Sequence, residues 1–550
     1  MTKSLVLCAL GGIVSLGFCQ SLAPANDILF PSSKTSTNPL IFAGGNSPYF
    51  AGKYELHHYR VPGPNMNKIE NTAPEQCNVR QAAYVVRHGS RYVCSATQHL
   101  GIEHRVDLQI GRFPDTGSYG SWVALHDKIQ AAAQQDGFDA RGPLKFITEW
   151  TPVLTNPSLQ LAQESMTGWK EVGTHRIHNN DAILVTNCGL DVHNYPSCES
   201  GIFELNLLTD PTFYQDGNPF YVWANQYKSP INESRVVQTA RAFINGYLYE
   251  YADTYGTVVS VNSTGSPDAT GNSLGPSDSC PAFGATSSGG NNVTNWQATW
   301  LPKAVHRINS HIKGNLTFDE SDVLFFPYLC AYESQITGRL SSWCDVFTEK
   351  ELRNYAYSQD LSYFYGVGPG SMGPAKVLFL PFLKSLLSLL EAGPGKVGVG
   401  PDHTEFEIPS LIMAFLNDNQ LAEMTAAMGI FDSEDLLPDD HIPAHHLYNV
   451  ANFITMRGTT AFEVMDCDGK NGPYIRVLLN DAVYPISGCQ NGPGKSCALS
   501  DYISLIDKKI KKAGNFFDYC NVTDSDHPET AAGATFFQDL SLDFLTFVKP

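Results

Sequence analysis

An apolar stretch that ends abruptly in charge constrains this chain more than any other feature. Residues 77–86 read CNVRQAAYVV, and Arg87, His88 and Gly89 follow at once. A run of this kind, closed by a glycine, predicts a buried strand that leaves a sheet and enters a loop. Ligands of α/β proteins bind where such strands end. The pattern therefore predicts a small-molecule site at the end of this strand.

The cluster RHGSR at residues 87–91 carries the groups that a phosphate site requires. The guanidiniums of Arg87 and Arg91 match phosphate oxygens and stay charged at any pH. The neutral imidazole of His88 is nucleophilic and leaves readily from a phosphohistidine. We predict His88 as the nucleophile, with Arg87 and Arg91 as phosphate-binding residues.

The rest of the chain alternates strand and helix patterns, which predicts an α/β fold with an inserted, mainly helical smaller domain. The stretch SRVVQTARAFINGYLYEYA predicts a helix with Arg235 in its first turn. The apolar face of this helix comprises Val236, Ala240, Phe243 and Tyr247. Later, residues 376–393 and 408–418 each predict a helix, KVGVGPDH predicts a weak strand, and residues 472–486 predict two strands around an Asn-Asp turn.

These patterns divide the chain into five segments. They are a signal peptide at 1–19 with cleavage near Cys19 or Ala23, an extended arm at 20–75, a first part of the α/β domain at 76–120, the inserted helical cap at 121–300, and the second part of the α/β domain at 301–550. Within the cap, residues 259–296 are rich in Ser, Gly and Asn and predict a long glycosylated surface loop.

The first residues indicate a secreted, extracellular protein. A lysine precedes an apolar stretch that is too short to span a bilayer, and small residues follow it, as in a signal peptide. Secretion favours disulfides among the 13 cysteines. Local spacing predicts three pairs: Cys330–Cys344, Cys489–Cys497 and Cys188–Cys198. Acceptor motifs for N-linked glycans occur at Asn232, Asn262, Asn292, Asn315 and Asn521.

Charge and motif content exclude several classes of partner. The chain has 36 basic and 55 acidic side chains, a net charge of −19, and no block of basic residues that could follow nucleic acid. No later segment indicates a membrane span. The chain has no CxxC pair and no HExxH motif, so no metal site and no cofactor is predicted. Small phosphorylated molecules are the expected partners.

Several segments together resemble one known family, the secreted fungal histidine acid phosphatases and phytases. That family is marked by RHGxRxP near the N-terminus and by an HD dipeptide late in the chain. The similar segments, in the family's order, are GGNSPYF, RHGSRY, SRVVQTARAF, SSWCDVFTEKEL, DLSYFYGVGPG, HTEFEIPSLIMAF, YIRVLLNDAVYP and GCQNGPGKSC. They cover residues 44–522. The resemblance implies a histidine-phosphatase-like mixed α/β sandwich with an inserted helical domain, and it implies Arg235 and His403 as further phosphate-binding residues.

The residue that should follow the late histidine departs from the family pattern. Family members place Asp there as general acid, whereas this chain reads GPDHTEFEIP, with Thr404 after His403. A threonine cannot protonate the leaving alkoxide. Another branch of the superfamily carries a His-Ala-Glu triplet that resembles residues 403–405, so we predict Glu405 as the proton donor. Asp402 is the alternative.

Two smaller departures concern the loop and the cysteines. Val93 replaces the family's proline after the second arginine, which alters loop stiffness. Gly366 replaces a cysteine that the family often carries before GPG, so the usual partner of Cys77 is absent. Cys94, which the family pattern lacks, is the alternative partner.

Two functions from different classes follow from these residues. The first is a secreted acid phosphatase that hydrolyses phosphate monoesters through a phosphohistidine, with inositol phosphates among the candidate substrates. The second is a catalytically impaired relative that binds phosphorylated ligands without efficient turnover. Thr404 is the feature that keeps the second function open, because one fold can host many activities.

Overall fold

The computed structural model describes the greater part of the chain in thirteen stretches. These are residues 39–47, 67–89, 117–152, 176–179, 182–185, 219–226, 234–248, 251–283, 290–337, 340–371, 374–480, 482–523 and 535–550. The predicted signal peptide at 1–19 lies outside the described residues, as do Arg91, Cys94, Cys188 and Cys198.

A nine-stranded sheet forms the centre of the protein. Strands and helices are numbered here in chain order. Across the sheet, the strands are β13 (Ala482–Val483), β12 (Tyr474–Leu479), β11 (Thr459–Cys467), β1 (Cys77–Arg87), β10 (Leu411–Leu416), β5 (Phe220–Gln226), β6 (Gly256–Asn262) and β15 (Leu545–Val548), and β14 (Cys497–Ala498) pairs with β12. The four strands β1, β10, β5 and β6 are parallel, and the outer pairings are antiparallel. The carboxyl ends of the four parallel strands therefore meet at one edge of the sheet.

Three two-stranded ribbons lie outside this sheet. They pair β2 (Asp139–Ala140) with β7 (Ile312–Lys313), β3 (Arg176–Asn179) with β4 (Ala182–Val185), and β8 (Val397–Val399) with β9 (Glu405–Glu407).

The described residues contain helices of widely different length. They are α1 (Gly117–Ala133), α2 (Arg235–Leu248), α3 (Ala252–Tyr255), α4 (Gly290–Asn309), α5 (Glu320–Thr337), α6 (Glu349–Gly366), α7 (Ala375–Leu378), α8 (Leu380–Ala392), α9 (Asp418–Ala427), α10 (Leu499–Ala513) and α11 (Phe516–Cys520). In the part of the chain that the structure covers, none of these helices is long and apolar enough to cross a membrane.

Both faces of the sheet are buried, which explains the unbroken apolar runs of its strands. In β1, Ala83 and Val85 face one hydrophobic core, whereas Tyr84 and Val86 face a second core on the opposite side. Successive strand residues point to opposite faces, so the run AAYVV fills both cores at once. Helix α2 packs on the second core through the apolar face that its sequence predicts.

The structure confirms several elements and corrects others. Strand β1, helix α2, helices α7 and α8, strand β8 and the pair β12–β13 lie where the sequence predicts them. The stretch 408–418 does not form a helix, because its six apolar residues form β10, buried between β1 and β5. A short apolar run bounded by polar residues fits a parallel strand as well as a buried helix, and here the strand forms.

The range predicted as a helical insertion also differs. Strands β5 and β6 lie inside residues 121–300, yet both belong to the central sheet. The first residues of the predicted surface loop at 259–296 complete β6, where Val259 and Val261 are fully buried. Residues 271–277 are buried as well, and α4 begins at Gly290. The apolar residues Val259 and Val261 at the start of this window explain its strand, although the window as a whole is rich in Ser, Gly and Asn.

Four disulfides join described residues. Cys330–Cys344 and Cys489–Cys497 confirm the pairs predicted from local spacing. Cys280–Cys520 and Cys77–Cys467 join distant parts of the chain. The second of these corrects the expectation that Cys94 is the partner of Cys77. Cys77 begins β1 and lies directly opposite Cys467, the last residue of the antiparallel β11, with the two Cα atoms 4.0 Å apart.

Candidate active site

His88 and Asp418 follow neighbouring strands and meet at the shared edge of the sheet. Strands β1 and β10 are parallel, with Arg87 in register with Leu416. The backbone N–H of His88 donates to the carbonyl of Leu416 at 3.0 Å, which continues the pairing one residue past β1. Asn417 and Asp418 come next in the chain. The register therefore sets the Asn-Asp dipeptide beside the RHG motif.

The His88 imidazole is fully buried, and its surroundings select one tautomer. Its Nδ1 atom lies 2.8 Å from the carbonyl oxygen of Gly89. A carbonyl oxygen can only accept, so the proton of a neutral imidazole resides on Nδ1. The lone pair is then on Nε2, which is the atom required for nucleophilic attack.

Backbone contacts hold the turn that carries His88. The N–H of Gly89 donates to the hydroxyl of Thr239 in α2 at 3.1 Å, and that hydroxyl donates to the carbonyl of Arg235 at 2.8 Å. On the other side, the N–H of Arg457 donates to the carbonyl of His88 at 2.9 Å. Arg457 has a φ of 56°, and its side chain is buried. The turn that carries His88 is thus fixed between α2 and the start of β11.

Arg87 is buried and links three parts of the site. Its Nη1 donates to the carbonyl of Ile454 at 2.8 Å and also to the carbonyl of Gly45. Its Nη2 lies 3.3 Å from Oδ2 of Asp418. A guanidinium held by carbonyls on one side and by a carboxylate on the other keeps a fixed orientation. The first arginine of the motif therefore contacts the carboxylate beside His88.

Arg235 is the first residue of α2, which follows β5, and its side chain is 3% exposed. The N–H of Val237 donates to the Ser234 hydroxyl at 3.3 Å, and that hydroxyl donates to the carbonyl of Asn225 at 3.2 Å. These contacts fix the start of the helix against the end of β5. The structure thus brings Arg235 to the same edge of the sheet as Arg87 and His88.

The structure does not bring His403 and Glu405 to this edge. His403 lies in an exposed turn with a φ of 61°, and Thr404, Glu405 and Asp402 are exposed as well. Glu405 begins β9, which pairs with β8 outside the central sheet and precedes the amino end of β10. The six residues of β10 then span roughly 16 to 20 Å to the edge that holds His88. None of these side chains is placed to act as acid or phosphate ligand there.

Asn417 and Asp418 also lie at this edge, although the motifs in the sequence do not indicate them. Asp418 is the first residue of α9, and its Oδ2 accepts from the Tyr363 hydroxyl at 2.7 Å and from Arg87. The Asn417 N–H donates to Oε1 of Gln420 at 3.0 Å, which caps the helix. The signal was present in LIMAFLND, an apolar strand that ends in Asn-Asp, if the HD pattern is allowed an asparagine in place of its histidine.

Glu423, five residues after Asp418 in α9, carries a second carboxyl group. Glu423 is fully buried. Burial first, and then the charges of Asp278 and Asp418, raise the pKa of Glu423 well above its usual range, against the lowering effect of a hydrogen bond from Ser277. A buried carboxyl near two other carboxyls retains its proton. Glu423 is therefore neutral in acidic solution and adds no negative charge to the site.

Within the residues that the structure describes, no three His, Cys, Asp or Glu side chains gather in a way that could hold a metal ion. Among the described residues, the charged side chains placed at this edge include the guanidiniums of Arg87 and Arg235 and the carboxylate of Asp418.

Comparisons with known proteins identify a family and several relatives that the chain resembles. The family model described as histidine phosphatase superfamily, branch 2, matches residues 204–480, just over half of the chain. The constitutive acid phosphatase of Saccharomyces cerevisiae is 29% identical over 308 residues, which span 55% of this chain and only 61% of that protein. A phytase of Candida albicans is 28% identical over 489 residues, 88% of this chain and 87% of that protein.

Among solved structures, the phytase from D. castellii has a TM-score of 0.64 at 24% sequence identity. The alignment covers 91% of this chain and 90% of that one. This likeness shows the fold, a mixed α/β architecture around a central sheet.

Proposed function

The chain belongs to branch 2 of the histidine phosphatase superfamily, and on this premise we propose that it hydrolyses phosphate monoesters through a phosphohistidine on His88. The observation that carries the proposal is the meeting of His88 and Asp418 at one sheet edge, with Arg87 against the carboxylate. A nucleophile, a proton donor and fixed positive charge are the groups that this reaction requires.

In the first step, the Nε2 lone pair of His88 attacks phosphorus and the bond from phosphorus to the ester oxygen breaks. Asp418 passes its proton to the departing oxygen, so the alcohol leaves neutral. The carboxyl must enter this step protonated, which requires an acidic medium. The products of the step are an alcohol, a phosphohistidine and the Asp418 carboxylate.

In the second step, water attacks the phosphohistidine. The Asp418 carboxylate takes a proton from the water as the bond from phosphorus to Nε2 breaks. Inorganic phosphate leaves, and both His88 and Asp418 return to their starting states. The Asp418 carboxyl therefore serves first as acid and then as base.

Positive charge around the phosphoryl group completes the proposal. Arg235 at the start of α2 and Arg91 two residues after Gly89 are the proposed phosphate ligands, together with Arg87. Asn417, which stands where the family carries histidine, adds an amide that can donate without titrating. Fixed donors of this kind stabilise charge that develops in the transition state.

The observation that supported the alternative, a catalytically impaired relative, no longer applies under this proposal. It rested on Thr404 at the position expected for the general acid. With Asp418 proposed as that acid, Thr404 lies in an exposed turn away from the site and has no bearing on catalysis.

The substrate class and the compartment are proposed on the same basis. The relatives include a phytase and an acid phosphatase, so inositol phosphates join simpler monoesters as candidate substrates. The four disulfides fit an oxidising compartment, and the acceptor motifs at Asn315 and Asn521 are exposed, which supports a secreted protein with N-linked glycans.

One experiment tests the proposed function. The full chain is expressed in a secreting fungal host, and phosphate release is measured from an aryl phosphate and from phytate between pH 3 and pH 8. We expect turnover in acid by the wild type and none by His88→Ala with either substrate. Equal turnover by the two proteins would overturn the assignment of the nucleophile.

A further inference from the structure

We propose that Tyr363 is a positioning residue that orients the Asp418 carboxyl for proton transfer, an inference that rests on the proposed function. The Tyr363 hydroxyl donates to Oδ2 of Asp418 at 2.7 Å. The ring is fully buried in α6, so the hydroxyl has little freedom to move. Tyr363 thus contacts the acid directly, from an element that carries none of the other proposed site residues.

A second donor acts on the same oxygen. Arg87 Nη2 donates to Oδ2 of Asp418 at 3.3 Å, the same oxygen that accepts from the Tyr363 hydroxyl. Two donors on one oxygen fix the rotation of the carboxyl group about its Cβ–Cγ bond. An oxygen that accepts from a guanidinium is the less basic of the pair, which favours Oδ1 as the oxygen that carries the proton. The two contacts therefore define which oxygen delivers the proton.

Gly45 lies next to both donors, the Arg87 guanidinium and the Tyr363 hydroxyl. Its carbonyl accepts from Arg87 Nη1, and a Cβ atom built on Gly45 would lie 2.8 Å from the Tyr363 hydroxyl. A side chain at this position would displace the phenol from its place. The backbone at Gly45 thus packs against both groups that hold Asp418, and the absence of a side chain there leaves the hydroxyl the room it needs.

The phenol also affects the charge of the acid. A hydrogen bond donated to the charged carboxylate stabilises that form, so loss of the hydroxyl lets Asp418 retain its proton to a higher pH. Loss of one such hydrogen bond should move the alkaline limb of the activity profile by about half to one pH unit. A residue that served only to pack the core would leave the pH profile unchanged.

The test compares Tyr363→Phe with wild type on an alkyl and an aryl phosphate. We expect kcat on the alkyl phosphate to fall about tenfold, with KM nearly constant and a smaller loss on the aryl phosphate, whose leaving group needs little protonation. The alkaline limb of the kcat profile should move up by about half to one pH unit. Tyr365→Phe is the matched control, because this hydroxyl on the same helix donates to the carbonyl of Leu437 at 2.6 Å.

A double variant shows whether Tyr363 acts through Asp418. In an Asp418→Asn background, Tyr363→Phe should cause no further loss of kcat. Additive losses would overturn the inference, and so would a Tyr363→Phe enzyme with the wild-type pH profile and leaving-group dependence. In both cases a large loss in Asp418→Asn alone would leave the proposed function standing. A wild type that releases no phosphate would overturn the proposed function and this inference together.

Discussion

The Arg87 guanidinium lies 3.3 Å from the Asp418 carboxylate, across the ends of two neighbouring parallel strands. This contact joins Arg87, the last residue of β1, to Asp418, the first helical residue after β10. It places a carboxyl beside His88 without any contribution from the exposed segment that holds His403 and Glu405. The reaction chemistry at this edge therefore depends on the pairing of β1 with β10.

Replacement of the proposed acid should discriminate between substrates by their leaving group. Asp418→Asn should lower kcat/KM on alkyl and inositol phosphates by about 10²- to 10⁴-fold, and much less on an aryl phosphate, because a phenolate leaves without a proton. Glu405→Gln is the control and should match wild type on every substrate. The measurement is the dependence of kcat/KM on the pKa of the leaving alcohol. A steeper dependence in Glu405→Gln than in Asp418→Asn would show that Glu405, and not Asp418, is the proton donor.

Asn417 offers a second test, because we propose that it takes the place of the family's late histidine. Asn417→His should strengthen inhibition by inorganic phosphate about fivefold at pH 4.5, where a protonated imidazole donates a charge-assisted hydrogen bond. At pH 7.5 the imidazole is mostly neutral and the gain should largely disappear. Asn419→His, two residues further along, serves as control. An inhibition constant that is unchanged at both pH values would show that residue 417 does not reach the phosphate.

Glu333 predicts how stability depends on pH. The side chain is 5% exposed and accepts from Trp150 Nε1 and the Ser341 hydroxyl, each at 2.6 Å. Burial raises the pKa of Glu333 from 4.5 to about 7, although both hydrogen bonds act to lower it. The folded protein therefore binds this proton more tightly than the unfolded chain does. The contribution of Glu333 to stability is greatest below pH 4.5 and is lost as the pH rises through about 7, by up to about 3 kcal/mol.

The measurement is the free energy of unfolding of Glu333→Gln at pH 4.5 and at pH 7.5. The variant keeps an acceptor for Trp150 and carries no charge, so it should lose less stability than wild type between the two pH values. Glu391→Gln, at an exposed position near the end of α8, should keep the wild-type difference. The same pH dependence in wild type and Glu333→Gln would exclude Glu333 as its source.

The sequence predicts those parts of the fold that depend on a long apolar pattern or on residues close together in the chain. The apolar run before Arg87 and the periodic face of α2 each specify one element, and Cys330–Cys344 closes over only 14 residues. Cys77–Cys467 spans 390 residues, and that pairing depends on the register between β1 and β11. Local spacing carries no information about such a register.

The residues of the candidate site also fall into two groups, those that local sequence indicates and those that depend on strand pairing. His88 and Arg87 belong to one motif and Arg235 to one helix start, so local sequence indicates all three. Asp418 depends on the reading of residues 411–416 as a parallel strand, and six apolar residues alone do not distinguish a strand from a buried helix. If residues 408–418 are interpreted as a helix, His403 is taken as the late histidine of the family pattern. The proton donor is then assigned to Glu405, which follows it. The tertiary pairing of β10 with β1 supplies the missing information.

A covalent phosphoryl group on His88 is the most direct test of the account. Enzyme is mixed with a ³²P-labelled aryl phosphate in acid and denatured within milliseconds in alkali, which preserves phosphohistidine, and the protein-bound label is counted. Wild type should retain label that is released by mild acid, Asp418→Asn should accumulate at least as much because water attack is slowed, and His88→Ala should retain none. Label on His88→Ala equal to that on wild type, or turnover by wild type with no trapped label, would contradict a phosphohistidine mechanism at this site.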